Sequence, residues 1–208
     1  MNNDYRNTKY CDLKNNIVSE KNSLEKKIKK EHPIVKIIYN QINKKGSEYN
    51  KKFRMIYSNK CAYCGITTDV ISSELFEIDH FVCEASFNGD STKAGEINNL
   101  VLSCRKCNQA KSDFQWNEEY SSMFNVDDGS ITKLFYRDED YSIRIEKEYI
   151  TDSVICSFYN KLKLNEEIRR LDFLLMNMCG FYDKNSNDSR IKIISEYILF
   201  LQRKRNGL

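Results

Sequence analysis

Apolar positions along the chain follow three textures. From residue 15 to 57 they recur at helical spacing among lysines and glutamates, and Ile34, Ile37, Ile38 and Ile42 fall on one helical face. Pro33, the only proline, is expected to open that helix and Gly46 to end it. His32, just before the proline, reads as a helix-boundary residue. From residue 61 the runs shorten. FEIDHFV (76–82) and NLVLSC (99–104) are strand candidates, and CRKCNQAKSD (104–113) reads as a short helix. Residues 83–98, with Asn88-Gly89-Asp90 and Gly95, form a loop between the strands. Further on, ITKLFY and YSIRIE flank RDED, the pattern of a β-hairpin. Helical periodicity then returns. Ile168, Leu171, Leu175 and Met178 line one face, with Cys179-Gly180 as a stop, and Ile191, Ile194, Ile198 and Leu201 line a last helix. The fold class is α+β. A small core at 58–114 lies between a basic helical segment (1–57) and a mixed hairpin and helical region (115–208), with no internal repeat.

Charge changes this picture at one end. The net +3 conceals fifteen Lys and Arg against six Asp and Glu in residues 1–60, and eighteen against twenty-four in the remainder. A basic segment on an acidic body suits a polyanion such as nucleic acid. KNSLEKKIKK, in which Lys and Glu alternate at helical spacing, equally suits a solvated helix face. The first twenty residues carry no apolar stretch of the kind found in a secretory signal, and the longest apolar runs, such as YILFL (197–201), are too short to span a bilayer. A cytoplasmic, reducing compartment is the expectation.

That expectation decides how the eight cysteines are read. In a reduced setting, paired C-x-x-C motifs are metal sites rather than disulfides. Cys61 and Cys64 form one pair, and Cys104 and Cys107 the other, with thirty-nine residues between the pairs. Two tight turns can present four sulfurs to one tetrahedral zinc ion, and Gly65 suits such a turn. A site closed by four cysteines has no open position, so this zinc is structural. Cys11, Cys83, Cys156 and Cys179 lack the spacing and read as packing residues. On the short helix Cys104, Cys107, Asn108 and Lys111 share one face. The loop closed by the two pairs holds Asp79-His80, an unusual place for one of only two histidines.

The string CAYCG, then EIDH, then INNLVLSCRKCNQAKSD resembles the HNH endonucleases of the ββα-metal type, over about residues 58–114. The order of Asp-His, Asn, Asn and Lys-Ser-Asp is also similar to the HNH domain of RNA-guided CRISPR nucleases, which lacks the cysteines. The resemblance implies that His80 is the general base for a water. It implies that Asp79 and Asn108 ligate a divalent ion, Mg2+ or Mn2+, and that Asn99 ties the loop and helps orient the base, with Asn98 as the alternative register. Cys61, Cys64, Cys104 and Cys107 would hold zinc, and Lys111 would lie near a phosphate, with Arg105 and Lys106 as further phosphate-contact candidates. Cys83 stands where many members have proline, and Asn108 stands where the family's last histidine is common. DDGSI (127–131) and ICSFYNKLKLNEEIRRLDFLL (155–175) resemble the tail of Septu-type and retron-associated HNH proteins, which act in anti-phage defence beside an ATPase. That likeness implies an ATPase partner docked on the helical ends.

The residue types agree with this chemistry. Phosphodiester hydrolysis needs an activated water and charge neutralisation at phosphorus. A histidine can take a proton at neutral pH, and a hard divalent ion prefers Asp and Asn oxygens. Neighbouring strand residues point to opposite faces, so a strand end or a bulge is expected at 79–80. The expected function is a metal-dependent nuclease acting on DNA, with RNA as the other substrate. The alternatives are a non-catalytic zinc module that binds nucleic acid or a partner, and a restriction-type nuclease acting alone.

Overall fold

A computed structural model of the chain describes residues 4–185 and 187–207. Helix α1 (Ile17–Glu31) buries Ile17, Leu24 and Ile28, and in the same stripe Lys21. An apolar stripe tolerates a lysine only if every proton finds an acceptor. Here the Lys21 Nζ donates to Asp127 Oδ2 at 2.5 Å, to Leu100 O at 2.8 Å and to Asn98 O at 3.4 Å. Tyr57 donates to the other oxygen of Asp127 at 2.6 Å. This buried network ties the first helix to the middle and later parts of the chain.

The single helix expected to open at Pro33 is absent. Its four-isoleucine face breaks up: Ile34 is 93% exposed, while Ile38 and Ile42 are buried. The chain leaves α1 at Glu31, bends through 33–38, makes one turn in α2 (Tyr39–Ile42), and re-enters a helix only in α3 (Glu48–Ile56), capped by Ser47. The cause is a tertiary bond. A helix from Pro33 would aim the Tyr39 N–H at Val35, but that N–H donates to Gly95 O at 3.1 Å.

The core strands form as expected. β1 (Phe76–His80) leads through the loop and the one-turn α4 (Ser91–Ala94) to β2 (Leu100–Cys104), and α5 (Arg105–Lys111) follows directly. The strands pair antiparallel, with Phe76 opposite Cys104 and His80 opposite Leu100. The ladder stays regular through Asp79↔Val101, so β1 ends at His80 and carries no bulge.

The acidic stretch contributes α6 (Glu118–Met123) and a hairpin of β3 (Phe135–Arg137) and β4 (Ile143–Ile145), paired antiparallel as the flanking pattern requires. Its aromatic residues close the core. Phe158, on α7 (Ser153–Lys161), stacks on Phe124 with ring centroids 4.2 Å apart and meets Trp116 edge-on at 5.8 Å. One buried cluster thus runs from Tyr5 to Leu164.

The last two helices, α8 (Glu167–Lys184) and α9 (Ile191–Arg205), meet through Leu171, Leu175 and Leu201. Ile168 and Met178 are only half-buried on this face. Cys179-Gly180 is not a stop, because α8 continues to Lys184. Gly180 is there for space: a Cβ would lie 2.8 Å from Cγ of Tyr10, whose ring packs against the helix.

Candidate active site and metal centre

The two cysteine pairs come together. Cys61–Cys64 form a turn in which Gly65 N–H donates to Cys61 O at 2.9 Å and Gly65 takes φ +78°, a conformation natural to glycine. Ala62 N–H donates to Leu102 O at 2.8 Å, which joins this turn to β2. Cys104 caps α5 and Cys107 lies in its first turn. All four cysteines are free and buried, and their sulfurs lie within 4.8 Å of one another. A tetrahedral zinc with Zn–S of about 2.3 Å sets its sulfurs about 3.8 Å apart. The Cys64 and Cys104 sulfurs are 3.8 Å apart, so the cluster fits zinc. A sequence scan for ligands misses Arg169, on α8. It is 3% exposed, and its NH2 lies 3.3 Å from the Cys107 sulfur, so it brings a positive charge to the cysteine cluster.

Asp79 lies on β1, next to the cysteine turn. It is 6% exposed. Its Oδ2 accepts from the Tyr63 hydroxyl at 2.7 Å, and its Oδ1 is 3.3 Å from Lys111 Nζ. Burial pushes its carboxyl up to about 6, against the pull of Lys111 and Tyr63. Tyr63 belongs to the first cysteine turn, so the zinc frame touches the carboxylate directly.

Lys111, which the resemblance sets near a phosphate, is not at the surface. It is 1% exposed, pairs with Asp79 and donates to His80 O at 2.9 Å. Its position on the inner face of α5 buries it. Arg105 is also engaged, with its Nε 2.8 Å from Glu77 Oε1, whereas Lys106 is exposed.

Asn108 donates its amide Nδ2 to Glu77 Oε2 at 2.7 Å. Burial works against ionisation of Glu77, but Asn108 and Arg105 hold its carboxyl below the usual range. Glu77 is a site residue that motif matching overlooks, and the period-2 rule could have found it. Glu77 and Asp79 are two apart on β1, so both face α5. Glu77 meets the first turns of the helix and Asp79 meets Lys111 at its end. Asp79 and Asn108 therefore lie at one strand–helix interface, each bonded to a different partner. Their oxygens are of the kind a hard divalent ion takes. The positive charge beside Asp79 in this structure is the Lys111 ammonium.

His80 is half-buried at the end of β1, with its ring 4.5 Å from the Tyr39 ring at 33°. Burial holds its pKa below the ordinary 6.5; Glu84 opposes this and Lys111 adds to it. The imidazole is therefore neutral at neutral pH and free to accept a proton. Asn99 accepts from Val82 N–H at 2.8 Å and donates to Val82 O at 3.0 Å and Ala94 O at 2.8 Å, so one amide staples the loop ends beside His80. Asn98 makes its recorded contact through its backbone, to Lys21.

The basic N-terminal segment is partly self-neutralised. Lys27 and Lys52 pair with Glu48, Lys29 pairs with Glu25, and Lys21 is buried. Among the described residues, no helix is long and apolar enough to cross a membrane. No curated protein and no solved structure matches the chain. Residues 61–114 match the family described as HNH endonuclease, and together with the four-cysteine cluster that match fits an HNH protein built on a zinc frame.

Proposed function

We propose that the protein is a metal-dependent endonuclease that hydrolyses phosphodiester bonds, with DNA as first substrate and RNA as second. The observation that carries this reading is a half-buried His80 at the end of β1, directly after Asp79, which shares a strand–helix interface with Glu77 and Asn108. His80 takes the proton of the attacking water. Asp79 and Asn108 supply hard oxygen donors for a Mg2+ or Mn2+ ion, which on binding would neutralise charge at the phosphate. Glu77 accepts from the amide nitrogen of Asn108 and so turns Asn108 Oδ1 away from itself, available as a ligand. The zinc frame fixes β2 and α5 and, through Tyr63, steadies Asp79. Phosphate contacts select no sequence, so the backbone is what such a core recognises. Exposed Lys106 offers one such contact. A role in anti-phage defence beside an ATPase is supported by the resemblance of residues 127–131 and 155–175.

The test is cleavage of plasmid DNA and of RNA with Mg2+ or Mn2+, comparing wild type with His80→Ala. We expect metal-dependent cutting that the substitution abolishes while zinc content is unchanged. Equal cutting by both proteins would overturn the catalytic assignment. A zinc-binding module without activity is the competing reading, and it predicts nucleic-acid binding without cleavage under any metal.

A further inference from the structure

We propose that Tyr39, which lies outside residues 61–114, is a positioning residue of the active site, whose ring holds the His80 imidazole in one orientation. This rests on the reading of His80 as the base. A histidine that acts as a base is ordinarily oriented by a hydrogen bond to its second ring nitrogen. Among the described residues, neither ring nitrogen of His80 has a hydrogen-bond partner. Lys111 holds only its backbone carbonyl. The ring contact recorded for His80 is Tyr39, at 4.5 Å between centroids, within the range of a packed aromatic pair. The tilted Tyr39 ring, at 33° to the imidazole, is therefore the protein contact that can orient the base.

Tyr39 is itself well fixed. Its hydroxyl accepts from Asn43 Nδ2 at 2.9 Å, and its N–H donates to Gly95 O at 3.1 Å. Ile38 and Ile42, on either side of it, are buried. Gly95 lets the segment come this close. A Cβ there would stand 2.6 Å from Ile37 Cγ2, 2.9 Å from Ser91 O and 3.3 Å from Tyr39 Cβ. The bond to Gly95 also breaks the helix expected from Pro33. The departure from helical structure at 33–38 thus has a consequence: it delivers an aromatic ring to the end of β1.

Two measurements on the full zinc-loaded chain test this. The chain has two histidines, His32 and His80, so ring signals of isotopically labelled histidine can be assigned with His80→Ala. In wild type the His80 ring protons should be displaced upfield by the Tyr39 ring current. Tyr39→Ala should return them to the position of a free imidazole, and Tyr39→Phe should keep them displaced. Gly95→Ala, which pushes the segment without altering either ring, should reduce the displacement. Unmoved His80 signals in Tyr39→Ala would overturn the proposal. In cleavage kinetics, Tyr39→Ala should lower kcat about 10- to 100-fold with KM little changed, as expected for a misplaced base, and Tyr39→Phe should recover most of the loss. A raised KM at unchanged kcat would make Tyr39 a substrate contact and overturn the positioning role. A wild type that cuts nothing would defeat the nuclease reading, while the ring signals would still decide the position of His80.

Discussion

The zinc frame and the His80 side of the same strand pair are built on different principles. The frame is four identical ligands in two local turns, buried and pointed at one another. The His80 side is an assembly of dissimilar groups whose partners come from across the chain: Tyr63 and Lys111 for Asp79, Glu77 for Asn108, and Tyr39 for His80. Four matched ligands form one cooperative unit. A mixed polar site has each group held by a separate bond, so it can fail piece by piece.

The sharpest break between the two is Cys104→Ser. Removing one of four ligands should take the metal with it, so zinc should fall from about one per chain to near none. Melting should become less cooperative, because the metal's binding energy is part of the folding energy. Metal analysis and circular dichroism check both. His80→Ala should do the reverse. Zinc and melting should hold while cleavage falls about 10²- to 10⁴-fold, the usual contribution of a general base.

Lys111→Met probes the seam between the two regions. It leaves the Asp79 carboxylate buried with Tyr63 as its remaining partner, which should cost about 3–5 kcal/mol at neutral pH in denaturant titrations. Adding Asp79→Asn should recover part of that loss. The pH dependence has a definite sign. The Asp79 carboxyl is raised from 3.8 to about 6. Its proton therefore favours the folded state in full below the unfolded value, and that contribution is lost as pH rises through about 6. The Lys111→Met defect should accordingly shrink at pH 5.

Smaller effects sharpen the polar side. Glu77→Gln should weaken the apparent affinity for Mg2+ or Mn2+ about 10- to 100-fold, read from the metal dependence of cleavage, with zinc unaffected. Cleavage should also fall as pH drops below the His80 pKa, which burial holds under 6.5, by roughly tenfold per unit for one required group. On the proposed reading His80, held below 6.5, has to be neutral to act as the base, so activity is expected above that limb and lost below it.

What was legible in the chain follows the same division. The C-x-x-C spacing, the strands expected at 76–82 and 99–104, the helix after Cys104 and the hairpin around Arg137-Asp138 are short-range patterns, and the structure has each, with the strands trimmed to 76–80 and 100–104. The errors lie where a distant group outbid local preference. The Tyr39 N–H went to Gly95 rather than to a helix, and α8 ran on through Gly180, whose missing side chain makes room for Tyr10. Lys111 looked like a phosphate ligand because a lysine near a nuclease motif usually is exposed.

By itself the sequence determined the four sulfur ligands, the order of the core elements, and the residue types able to carry hydrolysis. Each depends on spacings of a few residues, and covalent geometry fixes such distances in any fold. Only the tertiary structure decided that Lys111 serves Asp79, that Glu77 holds Asn108, that Arg169 faces Cys107 and that Tyr39 covers His80. Those partners are 32, 31 and 62 residues apart for the first three pairs, with Tyr39 in a different segment from His80. No local pattern encodes such a pairing. It exists because buried charge and a half-covered ring need partners, and the packed core determines which residues are near enough to supply them.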